Sequence, residues 1–371
     1  MQKILKLGFV GGGINSTIGQ THYIASQLDG KWKLVSGFFS RNIKININTA
    51  LSMNVDKSRV YTNLNSFIEK EKDRLDAVVV LSPTPNHFLV LKKLIKKKIP
   101  VICEKPLVDN FNQIKLLKKL LIKKKSFLRV TYNYTGYPML RALKELIKKG
   151  KLGKINQLNF EMPQDAFSKY TLSNIKPKFW RLKDKIIPNI CNDLGSHLYN
   201  LSSFLTSNYP NKVMSNFFNQ SKYKKLVDNA YFWLKYKNGQ EASFWISKTS
   251  IGIRNGLMVR VFGQKGTAIW HQMKPEELRI YKLDGREIIF DRGNKGLLAA
   301  KKRYNRYKPG HPAGFIEAFA NLYSDLAVDL KNHRKKNKKN NYTFDLEDSE
   351  KNIKFFVASS KSNLFGLWTK I

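Results

Sequence analysis

Cysteine is nearly absent: the chain has two thiols, Cys103 and Cys191, in 371 residues. Two cysteines cannot build a disulfide framework, so a reduced, cytoplasmic setting is expected. Acidic residues are scarce as well, 27 Asp+Glu against 67 Lys+Arg, which leaves a formal net charge of +40. Long apolar runs are missing. No stretch approaches the roughly 20 residues needed to span a bilayer, and no membrane partner is expected. Residues 1–10 make a short strand-like run leading straight into glycines, without an apolar signal core or small-residue cleavage site, so no secretory address is expected. Internal repeats and long low-complexity tracts are absent too, which excludes a repeat array. What is present is a 42% hydrophobic share with 12% aromatics, which excludes a disordered chain despite the charge. At roughly 150 residues per domain the length predicts two domains, each large enough for its own core.

So basic a balance would suit a nucleic acid, another polyanion or an anionic membrane surface. The lysines, however, are spread along nearly the whole chain and accompany heavy use of Asn and Ile, as in a coding sequence rich in A and T. The runs at 96–98 and 123–125 fall on the polar sides of helices whose apolar positions keep their spacing. They read as solvated faces. No nucleic-acid recognition motif is visible, so no specific nucleic-acid partner is expected. Residues 334–339 lack apolar partners and read as an exposed linker or loop.

The first third alternates strand and helix signals: strands at 4–10, 32–38, 76–81, 100–103 and 126–132, with a helix at 16–28 and another beginning near Phe67 and Ile68. Two more helices carry Phe88, Leu91, Leu94 and Ile95, and Ile114, Leu117 and Leu121. The run AVVVL is a fully buried strand of the kind found in parallel sheets. This rhythm predicts a doubly wound α/β domain over 1–131 with right-handed crossovers. After a helix at 138–149, alternating runs dominate at 155–162, 230–236, 241–247, 257–262, 267–271, 278–283 and 287–291. Asn238-Gly239 and Asp284-Gly285 are hairpin turns. Residues 132–371 therefore read as an α+β domain with a large, mainly antiparallel open sheet, covered by helices at about 190–206 and 312–331.

Three groups of residues carry chemistry. Gly11-Gly12-Gly13-Ile14-Asn15-Ser16 follows the first strand and opens a helix. Gly11 would allow the tight turn, Gly13 the approach of a pyrophosphate, and small Ser16 close helix–strand packing. Amides near Ser16, Thr17 and Ile18 would meet the phosphate charge. Phe39-Ser40-Arg41 ends the second strand with Lys44 beyond and no carboxylate, which tilts a dinucleotide pocket toward NADP while leaving NAD open.

The second group lies at the ends of the next strands, where ligands gather in such sheets. Ser82-Pro83-Thr84-Pro85-Asn86-His87 follows one and Cys103-Glu104-Lys105-Pro106 the other. Taken singly, His87 reads as a helix-start residue and Cys103 as a core thiol. Glu104-Lys105 is a charged pair at the mouth of the expected crevice, and a surface ion pair is its plainer explanation. The third group is Asn192-Asp193-Leu194-Gly195-Ser196-His197. A helix would put Asp193 and His197 on one face, where a carboxylate can orient an imidazole; a capping Asp and a packed His explain the spacing equally well. No third ligand accompanies them, so no metal is expected.

Gly8-Phe9-Val10-Gly11-Gly12-Gly13, Thr84-Pro85-Asn86-His87, Glu104-Lys105-Pro106 and Asp193-Leu194-Gly195-Ser196-His197 together resemble the glucose–fructose oxidoreductase / inositol dehydrogenase / rhizopine catabolism family over almost the full chain. Asn133-Tyr134-Thr135-Gly136-Tyr137-Pro138, Pro163-Gln164-Asp165, Gly310-His311-Pro312 and Glu317-Ala318-Phe319-Ala320-Asn321 look like its levoglucosan dehydrogenase branch. Two departures stand out: Ile187 to Asn192 lacks the glycines usual before Asp-x-Gly-x-His, and Asn15-Ser16 replaces a usual Gly-Ala.

The resemblance implies a Rossmann domain holding NAD or NADP, with Gly11, Gly13, Ser16, Thr17, Ile18, Ser40, Arg41, Thr84, Asn86, His87, Glu104 and Lys105 around the cofactor. It implies Lys105, Asp193 and His197 as the catalytic set, and a homodimer or homotetramer formed through the open sheet. The expected reaction exchanges a hydride between the cofactor and a secondary hydroxyl or ketone of a sugar, anhydrosugar or cyclitol. His197 is the expected base, since an imidazole of ordinary pKa about 6.5 suits proton transfer near neutrality; Lys105 is the alternative. Tyr134, Gln164, Asp165, Trp180, Arg181 and His311 are candidates for contacting the polyol. A non-catalytic cofactor-binding sensor of the same fold and a charge-driven polyanion binder are the competing readings.

Overall fold

The computed structural model describes residues 3–172 and 182–371. The chain forms two compact units: one holds residues up to Gly136 together with Phe315–Glu350, the other Tyr137–Gly314 and Lys351–Ile371.

The first unit contains β1 (Leu5–Gly11), α1 (Gly19–Gln27), β2 (Trp32–Phe38), α2 (Ile43–Ser52), α3 (Leu64–Glu71), β3 (Ala77–Leu81), α4 (Thr84–Lys96), β4 (Val101–Glu104), α5 (Phe111–Lys124) and β5 (Leu128–Thr131). Its five strands are all parallel, in the order β2-β1-β3-β4-β5. The order reverses between β1 and β3, so their carboxyl ends border the switch point where such sheets bind ligands. Asn63 and Asn110 cap α3 and α5 by accepting from Ser66 N and Gln113 N. The lysines at 96–98 are exposed, and those at 123 and 125 likewise, as expected of solvated faces.

The second unit contains α6 (Pro138–Lys148), β6 (Ile155–Pro163), α7 (Ala166–Leu172), α8 (Ser196–Thr206), β7 (Lys212–Phe218), β8 (Asn229–Lys235), β9 (Glu241–Ser247), β10 (Met258–Gly263), β11 (Gly266–His271), β12 (Leu278–Lys282) and β13 (Glu287–Phe290). Helices α9 (Phe315–Arg334) and α10 (Leu346–Phe365) and the short β14 (Thr369–Lys370) complete the chain. The nine-stranded sheet runs β13-β12-β11-β10-β6-β9-β8-β7-β14, antiparallel except where β6 pairs with β9. Phe232 and Phe244 on its buried face meet Phe355 of α10, and Tyr199 of α8 stacks on the same ring.

The domain division differs from the expected cut after residue 131, because α9 belongs with the parallel sheet rather than covering the antiparallel one. Its Phe319, Leu322, Tyr323, Leu326 and Leu330 share a core with Leu5, Leu7, Phe9, Trp32 and Leu34. The indole of Trp32 donates to the Tyr323 carbonyl (2.9 Å). Buried Asp329 accepts from Arg129, from Asn340 N (3.0 Å) and from Thr343 Oγ1 (2.6 Å). An apolar helical period identifies a buried face but not which sheet buries it. Residues 334–339 are exposed as expected, although Arg334 pairs with Asp76 and Lys339 with Asp345 (each 2.8 Å).

Candidate functional site

In the first unit the site is built around the end of β1. Gly11 has φ +86, and a Cβ there would sit 2.6 Å from the Ser82 amide nitrogen at the end of β3. Only glycine allows the two strand ends to approach so closely. Helix α1 starts at Gly19, not at 16 as expected. A Cβ on Gly19 would lie 2.0 Å from the Gly12 carbonyl oxygen, so Gly19 makes the close helix–strand contact assigned to Ser16. The Ser16 hydroxyl instead accepts from Ile18 N (3.4 Å) and Gly19 N (3.3 Å), capping the turn that contains Thr17. The spacing Gly11-x-Gly13 with a late third glycine was present in the sequence, but the shorter motif masked it.

Ser40 and Arg41 follow β2; Arg41 and Lys44 are exposed. Buried Asn46 fixes this corner by accepting from Phe39 N (2.9 Å) and donating to the Tyr61 carbonyl (2.7 Å). Thr84 is the first residue of α4 and Asn86 is exposed. His87 is different. It is buried, with Nε2 2.7 Å from the Ser82 carbonyl and Nδ1 3.0 Å from that of Pro106. Its ring ties the two ligand-side loops together and faces protein on both nitrogens. Burial pulls its pKa down, against the carbonyls that favour the charged ring. Burial pushes the Cys103 thiol well up, as for an inert core thiol.

Glu104 also turns inward. Its carboxylate pairs with buried His22 (3.0 Å) and accepts from Thr131 Oγ1, while His22 Nδ1 meets the Tyr323 hydroxyl (2.8 Å). Burial raises the Glu104 pKa, but the bond to His22 and the charge there outweigh it and hold the group below the usual carboxylate range. The His22–Glu104–Thr131 network therefore anchors the strand end from which half-buried Lys105 emerges. Sequence reading missed His22 and Tyr323, whose contact spans 301 residues of chain.

Tyr134 is buried in the turn Asn133–Gly136. Asn321 of α9 donates to the Gly136 carbonyl (2.9 Å), so two of the family-like segments meet within this unit.

In the second unit, Cys191–Gly195 forms a π-turn that leads into α8, and this turn carries Asp193. Such turns recur at functional positions. His197 is buried in the first turn of α8. Asp193 is half-buried, and its Oδ2 lies 2.6 Å from Nζ of buried Lys248. Gln164 donates to Asn255 Oδ1 (3.1 Å), and Asp165 pairs with Lys169 (2.9 Å). His311 is exposed. Trp180 and Arg181 lie outside the described residues. Lys248 was missed, yet the sequence held its signal. The inward-facing set of β9 is Ala242, Phe244 and Ile246, and the next alternate position is Lys248. Among the described residues, no group of three His, Cys, Asp or Glu side chains could hold a metal ion, and no helix is long and apolar enough to cross a membrane.

Comparison with known proteins decides the family. Residues 5–132 match the oxidoreductase family with the NAD-binding Rossmann fold, and residues 140–269 match the GFO/IDH/MocA C-terminal domain. The chain belongs to the GFO/IDH/MocA oxidoreductase family. It is similar over its whole length to an oxidoreductase of Sinorhizobium meliloti, with 30% identity, TM-score 0.87 and all of both chains covered. An inositol dehydrogenase homolog of Azotobacter vinelandii, crystallised with NADH and myo-inositol, superposes with TM-score 0.89 at 24% identity, covering 100% of this chain and 98% of that one. A levoglucosan dehydrogenase of Pseudarthrobacter phenanthrenivorans is 20% identical over 74% of this chain and 76% of its own. The first unit is thus an NAD-binding domain. The glycine cradle fits this role, since a Cβ at Gly11 or Gly19 would fill the close approaches that shape the β1–α1 loop.

Proposed function

We propose that this oxidoreductase is an NAD(P)-dependent dehydrogenase acting on a secondary hydroxyl, or the corresponding ketone, of a sugar, anhydrosugar or cyclitol. The observation that carries this reading is that a braced lysine and a carboxylate–imidazole turn accompany the dinucleotide fingerprint. Lys105 follows a strand end fixed by the Glu104–His22 pair, and Asp193 and His197 share the segment that runs from the π-turn into α8. The myo-inositol bound to the Azotobacter protein and the levoglucosan in the name of the Pseudarthrobacter enzyme agree in class.

In this proposal Gly11, Gly13 and the amides of the Ser16–Ile18 turn would hold the pyrophosphate, and Ser40 and Arg41 would meet the adenine ribose, where a cation tolerates a 2′-phosphate. A nicotinamide bound there would supply the hydride acceptor or donor for the carbinol carbon. His197 takes the hydroxyl proton on nitrogen, with Asp193 orienting the ring. Lys105 donates to the same oxygen and stabilises the charge that grows on it. Gln164 and Asp165 contribute hydrogen bonds to the polyol.

The setting proposed is cytoplasmic, in keeping with two buried free thiols. The assembly proposed is a homodimer or homotetramer. Tyr231 and Trp233, exposed on the open sheet face, form a stacked ladder with Trp245 and Phe218 at ring separations of 5.9–6.2 Å. Such a patch suits burial against a second copy. The test is reduction of NAD and NADP followed spectrophotometrically against levoglucosan, inositols, glucosides and hexoses. Turnover with at least one is expected; binding of cofactor with no turnover across the panel contradicts the proposal and favours a sensor.

A further inference from the structure

Lys248 is almost wholly buried, with 4% of its surface exposed, and buried lysines are rare unless paired. Its position is set by the strand end rather than by a flexible arm. Its amide donates to the Asp228 carbonyl (2.9 Å), and its carbonyl accepts from Phe167 N (2.8 Å). From there Nζ reaches Asp193 Oδ2 at 2.6 Å, with the Phe167 ring centroid 5.2 Å away. The neighbouring carboxylates have donors of their own. Asp165 takes Lys169, Asp184 accepts from Asn189 N and Val227 N, and Asp228 accepts from Gln220 N, Ser221 N, Asn219 and Asn229. The ammonium of Lys248 therefore acts on Asp193.

We infer that Lys248 is a positioning residue, the built-in counter-ion of Asp193, which limits how strongly that carboxylate favours a proton on His197. The inference rests on the roles proposed above for Asp193 and His197. A carboxylate beside an imidazole raises the ring's affinity for a proton, and a cation on that carboxylate offsets part of the effect. With Lys248 in place, the ring stays an available base to lower pH. Without it, Asp193 loses that cation, and a larger share of His197 is protonated near neutrality. The step served is unchanged: the substrate O–H bond breaks and the proton passes to the His197 nitrogen.

The experiment compares Lys248→Met with Lys248→Arg, which keeps the cation. In Lys248→Met the acid limb of the kcat/KM profile should move up by about one pH unit. At a pH well below both midpoints activity then falls about tenfold, and it returns at pH ~9, where the ring is deprotonated in both proteins. Lys248→Arg should keep the wild-type limb. A merely structural role would lower activity at every pH. The second readout needs no turnover: the His197 ring proton resonance, assigned by its loss in His197→Gln, is titrated in the enzyme free of cofactor and substrate. Its midpoint should rise by about one unit in Lys248→Met. If that variant does not fold, Lys248→Gln carries the same comparison. An unmoved midpoint overturns the inference even if the wild type is an active dehydrogenase. A raised midpoint upholds it even if no substrate in the panel is turned over.

Discussion

Gly19→Ala tests how the β1–α1 loop is built. The added methyl would stand 2.0 Å from the Gly12 carbonyl oxygen, 2.6 Å from its carbon and 2.9 Å from its Cα. All three are backbone atoms, so no side chain can swing aside. A comfortable C···O approach is about 3.3 Å, so α1 must retreat by roughly 1 Å. Overpacking of this kind costs about 1–3 kcal/mol, while alanine's better helix propensity returns somewhat less than 1. The expected net loss is about 1–2 kcal/mol in the first unit, a fall in Tm of several degrees. The same retreat displaces the amides of the loop, so NADH affinity should fall at least about tenfold, or roughly 1.4 kcal/mol. Calorimetric titration with NADH and circular-dichroism melting measure both. Gly314→Ala is the control, because a Cβ there meets nothing within 4 Å. Unchanged Kd and Tm in Gly19→Ala would refute the account of how this loop is packed.

Three further outcomes follow from the same geometry. Glu104→Gln should destabilise the first unit by roughly 3 kcal/mol at pH 7, by breaking the buried pair with His22. Because the folded Glu104 pKa lies below its ordinary value, its contribution is present above about pH 4.5 and is lost as pH falls through the folded value, so the variant's melting should lack that acid limb. Lys144 packs 4.0 Å over the Phe204 ring, and burial, with help from Arg141 and Lys148, lowers its pKa to about 8. Its folded state therefore resists protonation; Lys144→Met should raise Tm at pH 7, with the gain shrinking as pH rises from 8 toward 10. Replacing Tyr231 and Trp233 together with lysine should convert the proposed oligomer to a monomer by light scattering, with Tm nearly unchanged.

Much of this was legible in the sequence. AVVVL, the strand–glycine–helix junction and the hairpin turns state their local structure through sterics and periodicity, and five parallel strands and an open antiparallel sheet result. Less legible was anything decided across long separations. Helix α9 reads as amphipathic, but its attachment to β1 and β2 depends on Trp32 meeting Tyr323 and on Arg129 meeting Asp329. Helix α10 was overlooked because its polar LEDSEKN start hides the Phe355 and Phe356 pair that faces the sheet. At the site, motif residues were found by type, yet their roles shifted once partners were visible. Glu104 and His87 brace the loops from within, and Ser16 caps a turn rather than packing a helix.

The most direct measurement is steady-state turnover of Lys105→Met and His197→Ala, each beside NADH titration of the same protein, with the substrate that the wild type uses. At least a hundredfold loss of kcat is expected in both variants while NADH still binds. Turnover within tenfold of wild type in both, with coenzyme bound, would contradict it.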